Sequence, residues 1–219
     1  MKTLKIAVLF SGGASALKYL LKNDPTCGKS YEFVCGISNK KDTSGEKLCH
    51  ENRIPFKEFN TKKYALGLGY DGPLNAMPEE VRNTYFMNIL SYLRSNYMID
   101  FILLSGFMLR ISEPLLGSYP IINVHPADLD IKDTVTGKPK YTGDDAVTMA
   151  FEAGELYTAS TIHVVEREVD CGKIICISDP LYRVDEVSAK DHQEKMKTFC
   201  DGPAYQKALQ MITSGSFSF

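Results

Sequence analysis

The chain has 219 residues, of which 44% are hydrophobic and 24% charged, and its formal net charge is −2. That length suits one large domain or a tight two-lobed one with a substantial core. The near-neutral charge gives no electrostatic reason to expect nucleic acid or an anionic membrane surface as partner, so any bound phosphate has to be held by local geometry. No apolar stretch approaches the roughly 20 residues of a membrane span, and Met1–Phe10 is too brief for a signal peptide. The six cysteines contain no C-x-x-C pair and no zinc-finger spacing. All six are read as reduced thiols of a cytoplasmic protein, with Cys35 and Cys176 acting as small hydrophobes inside apolar runs.

Leu4–Phe10 (LKIAVLF) is almost wholly apolar, the pattern of a central parallel strand buried on both faces. Ser11–Ser15 then makes a turn of small residues, and Ala16–Leu21 continues as a helix. Tyr31–Ile37 reads as a second strand, Ser44–Asn52 as a helix and Pro55–Phe59 as a short third strand. Leu66–Pro78 is rich in Gly and Pro and reads as an irregular connection. Glu79–Asn96 has a helical period with Val81, Tyr85, Ile89 and Tyr92 on one face. Asp100–Leu104 and Ile121–Val124 are two more buried strands. Asp128–Pro139 is polar and aperiodic, hence a loop, and Asp144–Ala153 is a helix. Thr158–Val165 alternates as one strand, Lys173–Ile177 is another, and Val187–Thr213 is helix interrupted near Gly202-Pro203. Strands alternating with helices predict an α/β fold, a three-layer sandwich around a mostly parallel central sheet.

Two places carry candidate chemistry. Gly12, Gly13, Ala14 and Ser15 stand at the carboxyl end of the first strand and open a helix. Backbone N–H groups can approach a phosphate there, and the helix terminus adds partial positive charge. The same residues also suit a plain strand-to-helix turn. No G-x-G-x-x-G fingerprint is present. The second place is Asn123-Val124-His125-Pro126. Alternation along a strand puts Asn123 and His125 on one side, where open α/β sheets hold catalytic groups, and Pro126 ends the ladder. A strand end whose Asn and His only cap neighbouring backbone is the plainer alternative.

In order along the chain, these motifs resemble those of 10-formyltetrahydrofolate-dependent formyltransferases. Asn123–Pro126 is similar to the family's Asn-x-His-Pro signature. Leu104-Ser105-Gly106-Phe107-Met108 resembles its Leu-(Ala/Ser)-Gly-aromatic-Met segment, Val169-Asp170-Cys171-Gly172 its Leu-Asp-Gly-Gly turn, and Ser38-Asn39-Lys40 its Ser-Asn-(Lys/Arg). The resemblance covers nearly the whole chain and implies a Rossmann-like formyltransferase fold in a single domain. Residues 1–104 would form its phosphate- and nucleotide-binding half, and 105–219 its catalytic and folate-binding half. It implies catalysis by Asn123, His125 and Asp170 without a metal. The substrate phosphate would lie over Gly12, Gly13, Ala14 and Ser15, and the ribose at Asp201. The folate would lie at Met108, Leu109, Arg110, Val165 and Val169. Length and motif order point within the family to members that formylate glycinamide ribonucleotide, in purine biosynthesis. The implied protein is a cytoplasmic monomer or homodimer acting on two small molecules, the ribonucleotide amine and 10-formyltetrahydrofolate.

The chain departs from the family pattern at several positions. Ala16 stands at or near a usual Asn, Leu109 at a usual Arg, and Asp145 and Val147 where histidines are common. Asp201 replaces a glutamate, and a loop is inserted before Lys140-Tyr141-Thr142-Gly143. That insertion is either a tolerated surface loop or a change to the acceptor site or lid. Formylation of another amine, such as an amino sugar nucleotide, therefore stays open. From other classes, an ATP pyrophosphatase using the SGG loop would need an acidic residue in it, which Ser15 and Ala16 do not supply. A non-catalytic nucleotide-binding module would survive loss of His125.

Overall fold

The computed structural model describes residues 2–219. Strands β1 (Leu4–Phe10), β2 (Tyr31–Ser38), β3 (Phe56–Glu58), β4 (Phe101–Leu104), β5 (Ile121–His125), β7 (Thr161–Val164) and β8 (Ile174–Ile177) form one sheet in the order β3-β2-β1-β4-β5-β7-β8. A second sheet pairs β6 (Tyr157–Thr158) with β9 (Leu181–Tyr182). The expected α/β class with a mostly parallel central sheet is what the chain adopts.

Chain contacts divide the molecule into two compact units. The first runs through Ala14 and over Thr26–Ile121. Its strands β1, β2, β3 and β4 pair in parallel. Parallel strands covered on both faces must be apolar throughout, and Ile6, Ala7, Val8, Leu9 and Phe10 are all fully buried. Helix α2 (Ser44–Glu51) starts at Thr43, whose Oγ1 accepts the Glu46 N–H at 3.2 Å, as the T-x-x-E spacing of a capping box allows. Helix α4 (Glu79–Asn96) matches the predicted bounds, but its buried stripe is Tyr85, Phe86, Ile89, Leu90 and Leu93. Val81 and Tyr92 are only half buried; Tyr92 spends its ring on Phe59 and Tyr97.

Two short helices of this unit were not predicted. Helix α3 (Thr61–Gly67) is seven residues long and is started by Asn60, whose Oδ1 accepts from the Lys63 N–H at 3.1 Å. Its last residues fall in the stretch expected to be irregular, which also holds a single 3-10 turn at Leu74–Ala76. Helix α5 (Glu113–Leu116) is one turn, with Pro114 in its first turn.

The second unit comprises Ser15–Pro25 and Ile122–Phe219. Helix α1 (Ser15–Asn23) packs here against α8 (Gly202–Ser214), where Gly202 lies flush on the Tyr19 ring. Strands β5, β7 and β8 are antiparallel. The predicted strand Thr158–Val165 is two strands, β6 and β7, divided at Ala159-Ser160; β6 turns away to pair with β9. Helix α6 (Ala146–Glu152) is shorter than expected. The predicted helix Val187–Thr213 is α7 (Ala189–Met196) and α8 joined by a π-helical turn at Lys197–Asp201. The irregularity therefore precedes Gly202-Pro203, and Pro203 stands in the first turn of α8 directly after the π-helical turn.

No helix among the described residues is long and apolar enough to cross a membrane. All six cysteines are free thiols. Burial pushes Cys35 up to about 11 and Cys49 up to about 12, so both stay protonated and behave as packing groups.

Candidate active site

The polar cluster of the second unit is built by strand register. In the antiparallel pair β5–β7, Asn123 stands opposite His163 and His125 opposite Thr161. Directly opposed residues share a face, so two histidines and an amide gather on one side. Thr161 ties down the chain beyond Pro126. Its Oγ1 donates to the Ala127 carbonyl at 2.7 Å and accepts the Leu129 N–H at 3.1 Å.

The third element is the connection between β7 and β8, which carries Asp170. It turns tightly: the Val164 N–H donates to the Lys173 carbonyl at 2.9 Å. A Cβ at position 172 would lie 1.8 Å from the Val164 carbonyl oxygen, so only glycine fits there. Asp170 itself has φ +56°, a left-handed conformation uncommon for a non-glycine residue but one that aspartate tolerates better than most. Its carboxylate is held from two sides. Asp170 Oδ2 accepts the Gly143 N–H at 2.8 Å and lies 3.3 Å from His125 Nδ1, while Oδ1 lies 3.6 Å from His163 Nε2. His125, His163 and Asp170 are all buried.

The two histidines differ in what they can do. His125 sits between two acceptors, the Asp170 carboxylate at Nδ1 and the Tyr141 carbonyl 2.8 Å from Nε2. Only the imidazolium satisfies both at once. Burial opposes that charge and lowers the pKa of His125, outweighing Asp170, the Tyr141 carbonyl and Asp144, which all raise it. His163 is also lowered, mainly by burial. In its neutral form Nδ1–H donates to the Val164 carbonyl at 3.0 Å, leaving Nε2 to accept from the Asn123 amide at 3.4 Å. That pairing orients Asn123 and fixes which end of its amide is the donor.

The cluster thus offers amide and imidazole N–H donors beside a buried carboxylate, a set suited to stabilising a developing oxyanion and moving one proton. Among the described residues no group of three or more His, Cys, Asp or Glu side chains is placed to hold a metal ion.

Asn123, His125 and Asp170, singled out from the sequence, converge here. His163, Tyr141 and Gly143 were not singled out. His163 looked like any polar residue of an alternating strand, and only the register of β7 on β5 reveals its partner. Tyr141 and Gly143 act through backbone atoms, which carry no residue-type signal.

The remaining expected residues lie as follows. Gly12, Gly13 and Ala14 follow β1 in the first unit, and Ser15 opens α1. The loop is shaped by Ala14 at φ +48°, by the Gly45 N–H donating to the Gly12 carbonyl at 3.0 Å, and by the Ser11 N–H donating to Gly106 at 3.0 Å. Ser11 Oγ accepts the Met108 N–H at 2.8 Å, so the loop and the segment Met108–Arg110 are joined within that unit. Met108 and Arg110 are exposed and Leu109 is buried. In the second unit Val165 is half buried and Val169 exposed. Asp201 is buried in the π-helical turn and accepts from Ser160 Oγ at 2.6 Å; burial raises its pKa to about 6.

A model of the formyl transferase family matches residues 4–201. The chain is 28% identical over 218 residues to the human trifunctional purine biosynthetic protein adenosine-3, covering 98% of this chain but only 19% of that much longer protein. It is 27% identical over 201 residues to the phosphoribosylglycinamide formyltransferase of Haemophilus influenzae, covering 89% of this chain and 83% of that one. The structure of glycinamide ribonucleotide transformylase 1 from Symbiobacterium toebii superposes with a TM-score of 0.78 at 20% identity, covering 99% of this chain and 91% of that one, which establishes the common fold. With the family's span running from β1 to Asp201, the chain belongs to the formyl transferase family.

Proposed function

We propose that the protein transfers the formyl group of 10-formyltetrahydrofolate to the amine of glycinamide ribonucleotide, a step of purine biosynthesis. The observation that carries this reading is the convergence of Asn123, His125 and Asp170, with His163 orienting the amide, inside the span that matches the family.

The acceptor amine attacks the formyl carbon, a C–N bond forms, and the carbonyl becomes an oxyanion. The Asn123 amide donates a hydrogen bond to that oxygen, and so does His125 Nε2–H, which leaves the Tyr141 carbonyl to do so. Negative charge beside His125 raises its proton affinity as the intermediate forms, so the cation that burial disfavours in the resting site is favoured at the transition state. Asp170 holds His125 through Nδ1 and, through water, takes the proton leaving the amine. The intermediate collapses as the bond to the folate nitrogen breaks, and a proton on that nitrogen completes tetrahydrofolate and the formamide product.

The substrate roles follow the same reading. Gly12, Gly13, Ala14 and Ser15 bind the phosphate through backbone N–H groups, and Asp201 binds the ribose. Met108, Leu109, Arg110, Val165 and Val169 line the folate site, mostly through backbone. Residues 1–104 act as the nucleotide half and 105–219 as the catalytic and folate half. The protein works in the cytoplasm, as a monomer or homodimer.

The test is turnover of purified protein with a 10-formyl folate donor and a panel of amines, followed by absorbance of the released folate. The reading predicts turnover with glycinamide ribonucleotide. Turnover only with another amine would move the acceptor assignment, and none with any amine would overturn formyl transfer.

A further inference from the structure

The inserted segment Asp128–Lys140 leaves the chain three residues after His125 and returns to it at Tyr141, whose carbonyl meets His125, and Gly143, whose N–H meets Asp170. It is a folded hairpin. The Asp133 N–H donates to the Lys138 carbonyl at 2.8 Å and the Lys140 N–H to the Ile131 carbonyl at 2.9 Å. Lys132 and Pro139 are bridged across it. Asp133 Oδ1 accepts from the Val135 and Thr136 N–H groups and from the Thr136 hydroxyl, which fixes the tip. Its base is anchored by Ile131, packed on the buried cluster Ala127, Tyr141, Ala146 and Ala150.

One side chain of the hairpin reaches the turn that carries Asp170. Lys138 Nζ lies 2.5 Å from Glu168 Oε1, thirty positions along the chain. The Glu168 carbonyl in turn accepts the Cys171 N–H at 3.4 Å, so the ion pair grips the turn on the residues flanking Asp170. Aspartate tolerates the left-handed conformation of Asp170, so a grip on the neighbouring residues adds to the hold that the Gly143 N–H and His125 have on its carboxylate.

We propose that Lys138 and Glu168 are positioning residues: through their ion pair the inserted hairpin latches the Asp170 turn and holds the carboxylate against His125 and Gly143. The pair touches no catalytic atom, and its effect on rate passes through Asp170. The kinetic part of this inference rests on the formyl-transfer reading, whereas the structural part does not.

The experiment compares the wild-type chain with Lys138→Ala, Lys138→Arg and the charge swap Lys138→Glu/Glu168→Lys. It measures kcat and KM with 10-formyl folate and glycinamide ribonucleotide, and separately the hydrogen exchange of the Gly143 amide by NMR. For an exposed pair the expected change is about two- to five-fold. Lys138→Ala lowers kcat by that factor with both KM values unchanged and speeds Gly143 exchange similarly. Lys138→Arg and the charge swap restore both readouts. The inference is overturned if Gly143 exchange is the same in Lys138→Ala as in wild type, if KM moves instead of kcat, or if the swap fails to rescue. A wild type inactive on every amine sinks the functional reading alone, and Gly143 exchange still decides whether the latch exists.

Discussion

The two units solve opposite problems with the same element. In the first, β1 from Ile6 onward and β4 are parallel and buried on both faces, and the chain fills them with Ile, Ala, Val, Leu and Phe. In the second, β5 and β7 are antiparallel and bring two imidazoles and, through the next turn, a carboxylate into burial beside a half-buried amide. Apolar burial stabilises by area and tolerates no polarity, whereas a buried polar cluster survives only if every member finds a partner. The difference predicts that substitutions in the buried strands of the first unit act on stability and those in the β5–β7 cluster act on rate.

The largest expected effect is at Asp170. Asp170→Asn keeps the shape of the side chain but removes the charge facing His125, and should lower kcat by about 10²–10⁴-fold while leaving the circular dichroism spectrum and melting temperature near wild type. A mutant that turns over normally would remove Asp170 from the chemistry. On the other side of the comparison, Ile6→Ala truncates a fully buried side chain at the start of β1. It should destabilise by about 2–5 kcal/mol in urea titration, with kcat per folded molecule unchanged.

A smaller effect sharpens the contrast at Asp201. Its folded pKa of about 6 lies above the ordinary aspartate value of 3.8, so the folded chain holds this proton more tightly than the unfolded one. The stability associated with that proton is present below about pH 4 and is lost as pH rises through 6. Asp201→Asn should therefore stabilise the protein at pH 7.5 by about 1–3 kcal/mol, with the gain shrinking toward pH 4, while raising KM for the ribonucleotide. A uniform gain at every pH would show that the buried charge is not its source.

How much of this was readable follows the same divide. Strands β1 and β4 are nearly continuous apolar runs, and β1, β2, β4 and α4 were placed within a residue or two. The short pieces escaped. Helix α3 has too few apolar residues for a period, α5 is a single turn, and β9 is two residues long. The boundary between β6 and β7 was hidden because Ala159-Ser160 interrupts neither the alternation nor the β-branched composition around it. At the candidate site, alternation placed Asn123 and His125 on one side, and family resemblance singled out the two together with Asp170. His163 was not, because its role depends on which residue of β5 it faces, and register is a tertiary property. The contributions of Tyr141 and Gly143 are backbone atoms and leave no mark in residue identity.

The central claim is that Asn123, His125, His163 and Asp170 work as one unit. A double-mutant cycle on formyl transfer with Asn123→Ala, Asp170→Asn and their combination tests it most directly. Groups acting together lose their shared effect once, so the double mutant should be scarcely slower than the worse single mutant. Rate losses that multiply would mean that the two side chains act independently, and would contradict the account.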